Sequence, residues 1–91
     1  MKILEQTRGE QSLDLAIALT LHGALLASRG DYSAAVPHHR RAFDIRRAVL
    51  GLEHEETLVA QVNLGSLLLA TGDVESSAPL IEEAVGVAAR L

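Results

Sequence analysis

The histidines are the first side chains of this sequence to consider for chemistry. His22 and His39 lie at similar distances on either side of Gly30, so a helical hairpin that turns at Gly30 would bring their imidazoles near each other. A zinc site needs three or four ligands. His38 projects about 100° away from His39 on a helix, and His54 belongs to a later turn. We therefore expect histidines that pack with satisfied hydrogen bonds, and no metal site.

Catalytic patterns are missing from the rest of the sequence. It contains no phosphate-cradling glycine loop, no nucleophile elbow and no helical His-Glu metal motif. It has no cysteine, which excludes disulfides and thiolate ligands. We expect no catalytic residue, no cofactor and no enzymatic activity.

Four arginines between positions 40 and 47 could contact phosphates. The chain carries a net charge of −4, however, whereas nucleic-acid binding favours a basic surface. Glu82 and Glu83 follow Arg40 and Arg41 at a distance of 42 residues. In stacked repeats these opposite charges would meet, and each exposed pair would contribute less than about 1 kcal/mol. The pattern predicts a solvated helix face and no nucleic-acid partner.

The composition favours helices in a protein that stays outside the membrane. Of the 91 residues, 48% are hydrophobic but only 2% aromatic, and leucine and alanine, both strong helix formers, supply the apolar content. The longest apolar run, residues 15–27, is shorter than the roughly 20 residues that span a bilayer. The charged start of the chain is also unlike a secretory signal. We expect an all-α, cytoplasmic protein.

The sequence repeats itself with a period of 42 residues. Gly30-Asp31 recurs as Gly72-Asp73, and the same offset relates several other pairs: Gly23 and Gly65, Pro37 and Pro79, Ala42 and Ala84, and Leu25-Leu26 and Leu67-Leu68. A fixed period of 20–50 residues is typical of a helical solenoid.

Each repeat reads as two antiparallel helices. Gly30 and Gly72 suit the left-handed end of a helix, and Asp31 and Asp73 can cap the next one. The predicted helices are 1–8, 12–29, 32–50, 55–71 and 74–90. We interpret 1–91 as a single domain in which 1–8 ends a preceding repeat, 12–50 is repeat one and 54–91 is repeat two.

These motifs resemble the tetratricopeptide repeat in its 42-residue, kinesin-light-chain-like form. Repeat two matches it through Thr57-Leu58, Asn63-Leu64-Gly65, Gly72-Asp73 and Pro79-Leu80, and repeat one through Gly30-Asp31-Tyr32, Pro37, Ala42-Phe43 and Leu50-Gly51. The resemblance covers essentially the whole chain. It implies an all-α fold of antiparallel helix pairs stacked as a short right-handed α-solenoid, and a role in holding peptides or partner proteins.

The resemblance also implies a peptide-binding concave groove. The positions carried over are Ile17, Thr20, Leu21, Ala24, Ser28, Val59, Val62, Asn63, Ser66 and Ala70. In similar repeats an asparagine at the place of Asn63 hydrogen-bonds the backbone of an extended peptide, although an asparagine bonded to water or a neighbour is an equal alternative. These positions lack Lys and Arg, which argues against clamping a terminal carboxylate. A hydrophobic peptide or an amphipathic helix is the expected ligand.

The last predicted helix carries apolar residues on two stripes. One is Leu80, Ala84, Val87 and Leu91, the other Ala78, Ile81, Val85 and Ala88. Only one stripe can pack within its own pair, and a helix that is apolar all round is normally buried. Either the chain belongs to a longer array, or copies form a homodimer through a self-association face that we assign to Leu80, Ala84, Val87 and Leu91. The two functional hypotheses are an interaction scaffold within a larger regulatory or adaptor protein, and a self-associating structural spacer.

Overall fold

The computed structural model describes residues 12–91, which form four α-helices and no strand. They are α1 (Leu13–Ser28), α2 (Tyr32–Leu50), α3 (Glu55–Ala70) and α4 (Val74–Arg90). The all-α prediction is confirmed, and the four helices agree with the sequence-based bounds to within one residue at each end. The predicted helix at 1–8 lies outside the described residues.

Glycine ends the first helix of each pair. Gly30 and Gly72 have φ values of 88° and 90°, a left-handed conformation that other residues rarely adopt. The amide of Asp31 then reaches back to Leu26 O at 2.9 Å, which closes the end of α1. The two caps that follow differ. Asp73 Oδ1 accepts a hydrogen bond from Ser76 N at 3.2 Å, whereas Asp31 makes no side-chain cap, contrary to prediction.

The 42-residue repeat recurs in the packing. Inside each pair one small cluster joins the two helices: Ala16, Ala42 and Ile45 in repeat one, and Leu58, Ala84 and Val87 in repeat two. Every member of the second cluster lies 42 positions after its counterpart. Leu58 replaces Ala16 and Val87 replaces Ile45. The two clusters therefore differ in residue type but occupy the same position in their helix pairs.

The two repeats meet where α2 packs against α3. Phe43 of α2 is buried with three α3 residues spaced four apart, Ala60, Leu64 and Leu68. Thr57 is fully buried, and its Oγ1 donates to Arg46 O at 3.2 Å. These contacts stack the helix pairs in the manner of a repeat solenoid, as the sequence predicts.

The face of α4 assigned to self-association is corrected by this packing. Ala84 and Val87 are only 2% and 5% exposed because they pack against Leu58 within their own pair. Leu80 is half-buried against the Phe43 cluster, so only Leu91 of this stripe is exposed. On the other stripe of α4, Val85 and Ala88 are exposed, whereas Ala78 and Ile81 are half-buried.

Candidate functional site

Three adjoining depressions meet at Asn63 on α3. Two of them form what we call the inner trough, with volumes of about 310 and 320 Å³. The inner trough is lined by Thr20, Ala24 and Ala27 of α1, His39 and Arg46 of α2, and Glu55, Glu56, Val59, Asn63, Ser66 and Leu67 of α3. The third depression, of about 290 Å³, lies between α3 and α4 and is called the terminal groove. It is lined by Leu58, Val59, Val62, Asn63, Ala84, Val85 and Ala88.

Most of the positions carried over from the family line these surfaces. Six of the ten do so: Thr20, Ala24, Val59, Val62, Asn63 and Ser66. Ile17 and Leu21 are exposed on α1 away from all three depressions, and Ser28 Oγ donates to Leu25 O at 2.8 Å. Ala70 lines a separate depression beside the Gly30 turn. The structure therefore brings together two of the five predicted positions on α1 and four of the five on α3.

Arg46 corrects the expectation that the groove has no basic residue. Its Nη1 donates to Thr20 Oγ1 at 2.9 Å, and that hydroxyl donates in turn to Ala16 O at 2.9 Å. The guanidinium is thus tied to α1 at the floor of the inner trough. The sequence contains a pattern that could have indicated the position of Arg46. His39, Phe43 and Arg46 follow one another at i, i+4 and i+7, so they share one face of α2.

The charge of the inner trough is acidic in spite of Arg46. Glu55 and Glu56, both exposed, line the same depression at the start of α3. Two carboxylates beside one guanidinium leave a net negative site, which favours a cationic side chain over a peptide carboxylate. This net negative charge is a further reason to expect that the groove does not clamp the terminal carboxylate of a peptide.

His39 is the buried polar group of the trough. Only 7% of the residue is exposed, and its ring packs onto Gly23 of the facing helix. Burial first, and then the charges of His38 and Arg46, lower the pKa of His39 below its usual 6.5. At neutral pH the imidazole is therefore uncharged, with one nitrogen able to donate and the other to accept a hydrogen bond.

The histidine pairing differs from the expected one. The ring of His22 lies 4.4 Å from that of His38, centroid to centroid, with the two planes 35° apart. His22 is exposed, whereas His39 is buried and faces the trough. Within residues 12–91 no three His, Asp, Glu or Cys side chains come together in a way that could hold a metal ion.

The terminal groove has a different chemistry from the inner trough. Its lining is aliphatic apart from Asn63, and no charged residue contributes to it. Two of its lining residues, Val85 and Val59, are 61% and 55% exposed. Exposed aliphatic side chains lining one depression are suited to burying the apolar side chains of another molecule.

Stacked antiparallel helix pairs with depressions formed by successive repeats define a helical-repeat scaffold. The sequence model described as Tetratricopeptide repeat matches residues 14–90, and the chain belongs to this family. No curated protein matches the chain at a significant level. Tetratricopeptide repeats are non-catalytic scaffolds that generally mediate protein–protein interactions. In the part of the chain from residue 12 onward, no helix has the length and apolarity needed to cross a membrane.

Proposed function

We propose that this chain is an interaction module that binds a peptide or a helix of another protein in the inner trough, as part of a larger regulatory or adaptor protein. The observation that carries the proposal is the place of Asn63. It is exposed at the junction of all three depressions. Its amide can therefore donate to and accept from the backbone of a ligand that runs past α3.

The neighbours of Asn63 specify the ligand further. Val59 offers an apolar contact on one side, and Ser66 offers a hydroxyl along the trough. Glu55 and Glu56 favour a lysine or arginine at the end that Arg46 occupies. The best-fitting ligand is a peptide with an apolar anchor next to Asn63 and a basic residue toward Glu56. The acidic surroundings make nucleic acid a poor ligand.

Two finer assignments belong to the same proposal. The 42-residue period supports the kinesin-light-chain-like type of tetratricopeptide repeat. The absence of cysteine is compatible with a cytoplasmic location, where thiols stay reduced. We propose no membrane partner and no cofactor.

The second candidate function is a self-associating spacer. Its support is the aliphatic surface at both ends of the described solenoid. Ile17, Leu21 and Leu25 form an exposed stripe at i, i+4 and i+8 on α1, and Val85 and Leu91 are exposed on α4. Copies that joined through these surfaces would bury them and would need no dedicated ligand.

Peptide display separates the two functions. A random peptide library is selected on the chain, and the selected peptides are titrated against Asn63→Ala and against Glu82→Ala, a control at an exposed position on α4 outside all three depressions. The interaction module predicts peptides with the basic-plus-apolar pattern that lose about tenfold or more in affinity with Asn63→Ala and nothing with Glu82→Ala. Selection of no peptide, together with self-association in sedimentation velocity, would favour the spacer.

A further inference from the structure

The two depressions of the inner trough differ in charge. The one of about 310 Å³, which we call the acidic depression, contains Glu55 and Glu56 beside Arg46. The one of about 320 Å³, which we call the neutral depression, is lined by His39 and Ser66 among others and by no charged residue. A charged side chain entering the neutral depression would lose hydration without gaining an opposite charge. This part of the trough therefore suits an uncharged group of a ligand.

His39 provides more than packing in the neutral depression. It lies over Gly23 in the same way as Ile81 lies over Gly65, 42 positions later. Isoleucine thus meets the packing requirement at this place, and the imidazole adds hydrogen-bonding groups to it. Burial is the main cause that lowers the pKa of His39 below 6.5. The ring is consequently neutral at pH 7, with one nitrogen that donates and one that accepts.

The hydroxyl of Ser66 is the second hydrogen-bonding group in the neutral depression, and Ser66 is exposed. Elsewhere in the chain, the hydroxyls of Thr20, Ser28 and Ser77 donate to backbone carbonyls. Within residues 12–91, the side chains of His39 and Ser66 make no hydrogen bond. Both therefore keep a donor and an acceptor for a ligand.

We propose that the neutral depression binds a carboxamide side chain, asparagine or glutamine, of the ligand peptide, with His39 and Ser66 as its hydrogen-bonding partners. A carboxamide is uncharged, and its oxygen and nitrogen can each face a different helix, α2 with His39 and α3 with Ser66. An apolar side chain would leave both protein groups unpaired. The inference rests on the proposed function, because it names one more side chain of the same ligand.

The length of α3 sets the spacing of the ligand residues. Glu56 and Ser66 are ten positions apart on this helix, which is about 15 Å along its axis. An extended peptide covers this distance in between four and five residues. Only an even spacing places both side chains on the same face of the peptide. The basic residue and the carboxamide are therefore four positions apart, and the residue midway between them is the apolar anchor beside Asn63.

Short synthetic peptides test this pattern. Capped, fluorescein-labelled peptides carry the order Ser-Lys-Ser-Leu-Ser-Gln-Ser or its reverse, because α3 sets the spacing but not the direction. In the tighter-binding direction, glutamine is then replaced by methionine, which is apolar and of similar length, and by glutamate, which has the same shape and a charge. Each peptide is titrated with the chain at about pH 7.5 and followed by fluorescence anisotropy. Circular dichroism checks that each protein variant is folded.

The expected result is a preference for glutamine that depends on His39. The wild-type chain binds the glutamine peptide about tenfold more tightly than the methionine peptide, because methionine leaves the imidazole and the hydroxyl unpaired. The glutamate peptide loses about tenfold or more. His39→Ile keeps the packing over Gly23 and reverses the preference in favour of methionine. Ser66→Ala reduces the preference for glutamine. The control Ser76→Ala, at an exposed serine of α4 outside the trough, leaves it unchanged.

Three outcomes would overturn the inference. One is equal affinity of the wild-type chain for the glutamine and methionine peptides. Another is a preference for glutamine that persists in His39→Ile. The third is the lack of saturable binding by the glutamine peptide in either direction up to millimolar concentration. The proposed function is judged separately, by the effect of Asn63→Ala on the display-selected peptides. A loss of affinity there without a preference for glutamine would remove the carboxamide and leave peptide binding in place.

Discussion

His39 of α2 packs directly onto Gly23 of α1. A Cβ built at Gly23 would lie 2.5 Å from Cδ2 of the imidazole and 2.7 Å from Nε2. The relation recurs 42 residues later, where a Cβ at Gly65 would lie 2.6 Å from Cγ1 of Ile81. In both repeats the glycine therefore sets how closely the two helices of a pair approach.

Gly23→Ala is expected to lower the free energy of unfolding by about 1–3 kcal/mol, because the added methyl forces the buried ring or the helices apart. The matched control is Gly86→Ala. Gly86 is also inside a helix but has open space around it, so alanine there should stabilise by up to about 1 kcal/mol through helix propensity. Urea denaturation measures both. Equal stabilities of the two variants would contradict the close packing.

Stability should decline as the pH falls through the range in which His39 titrates. Burial, His38 and Arg46 all lower the pKa of His39 in the folded state, whereas the unfolded value stays near 6.5. The unfolded chain then binds the proton more readily. Stability is complete above pH 6.5 and is lost progressively as the pH falls from there toward the lower folded pKa.

The groups that face His39 reinforce this direction. The helix α1 contributes Gly23 and, beside His38, the ring of His22, while α3 contributes Asn63, Ser66 and Leu67. None of these is a carboxylate that could stabilise an imidazolium, and Glu55 and Glu56 lie in the other depression of the trough, with Arg46. The melting temperature of the chain should therefore fall between pH 8 and pH 5.5.

The variant His39→Ile is the control for this titration. Isoleucine already occupies the equivalent place over Gly65, so the fold can accept it. The melting temperature of the variant should change less over the same pH range than that of the wild type. Equal slopes would assign the pH dependence to other groups.

Phe43→Val tests the contact between α2 and α3 with the residue that the chain itself uses 42 positions later. We expect a loss of about 1–3 kcal/mol in the free energy of unfolding, because the substitution leaves a cavity between α2 and α3. Val85→Ala, at the exposed counterpart, should change it by less than about 0.5 kcal/mol. Thermal and urea unfolding of both variants measure the difference. A small effect at Phe43 would show that the repeats are not held together at this cluster.

The sequence predicts the helices well because their signals are local. The glycines of the turns and the 42-residue period locate all four described helices, and the period alone pairs Ala42 with Ala84. The period does not show which face of a helix packs against the neighbouring helices. On α4 both stripes are apolar, so the pattern could not tell that Ala84 and Val87 are the buried pair.

The candidate site shows the same limit. Asn63 and its neighbours on α3 were predicted, since the family motif marks them. Arg46 was missed because its role depends on a hydrogen bond to Thr20, 26 positions away in the sequence. The pairing of His22 with His38 depends likewise on how α1 and α2 rotate against each other, which a helical pattern leaves open.

Gln61 is a polar side chain at the position where repeat one has Leu19, so substitutions here test what a buried amide contributes to stability. The residue is fully buried, and its Nε2 donates to Leu80 O at 2.9 Å and to Glu83 Oε1 at 2.8 Å. Its Oε1 has no hydrogen-bond partner among residues 12–91. A buried acceptor without a partner costs roughly 1–3 kcal/mol, which offsets the two bonds that the amide donates.

Gln61→Leu should therefore be nearly neutral or stabilising, because leucine has a similar size and removes the unpaired oxygen. Gln61→Ala should destabilise by about 1–3 kcal/mol, because it removes the same oxygen but leaves a cavity between α3 and α4. The comparison by urea denaturation separates polarity from volume. A large loss in Gln61→Leu would mean that the bonds to Leu80 and Glu83 outweigh the unpaired oxygen, so that this amide holds the second helix pair together.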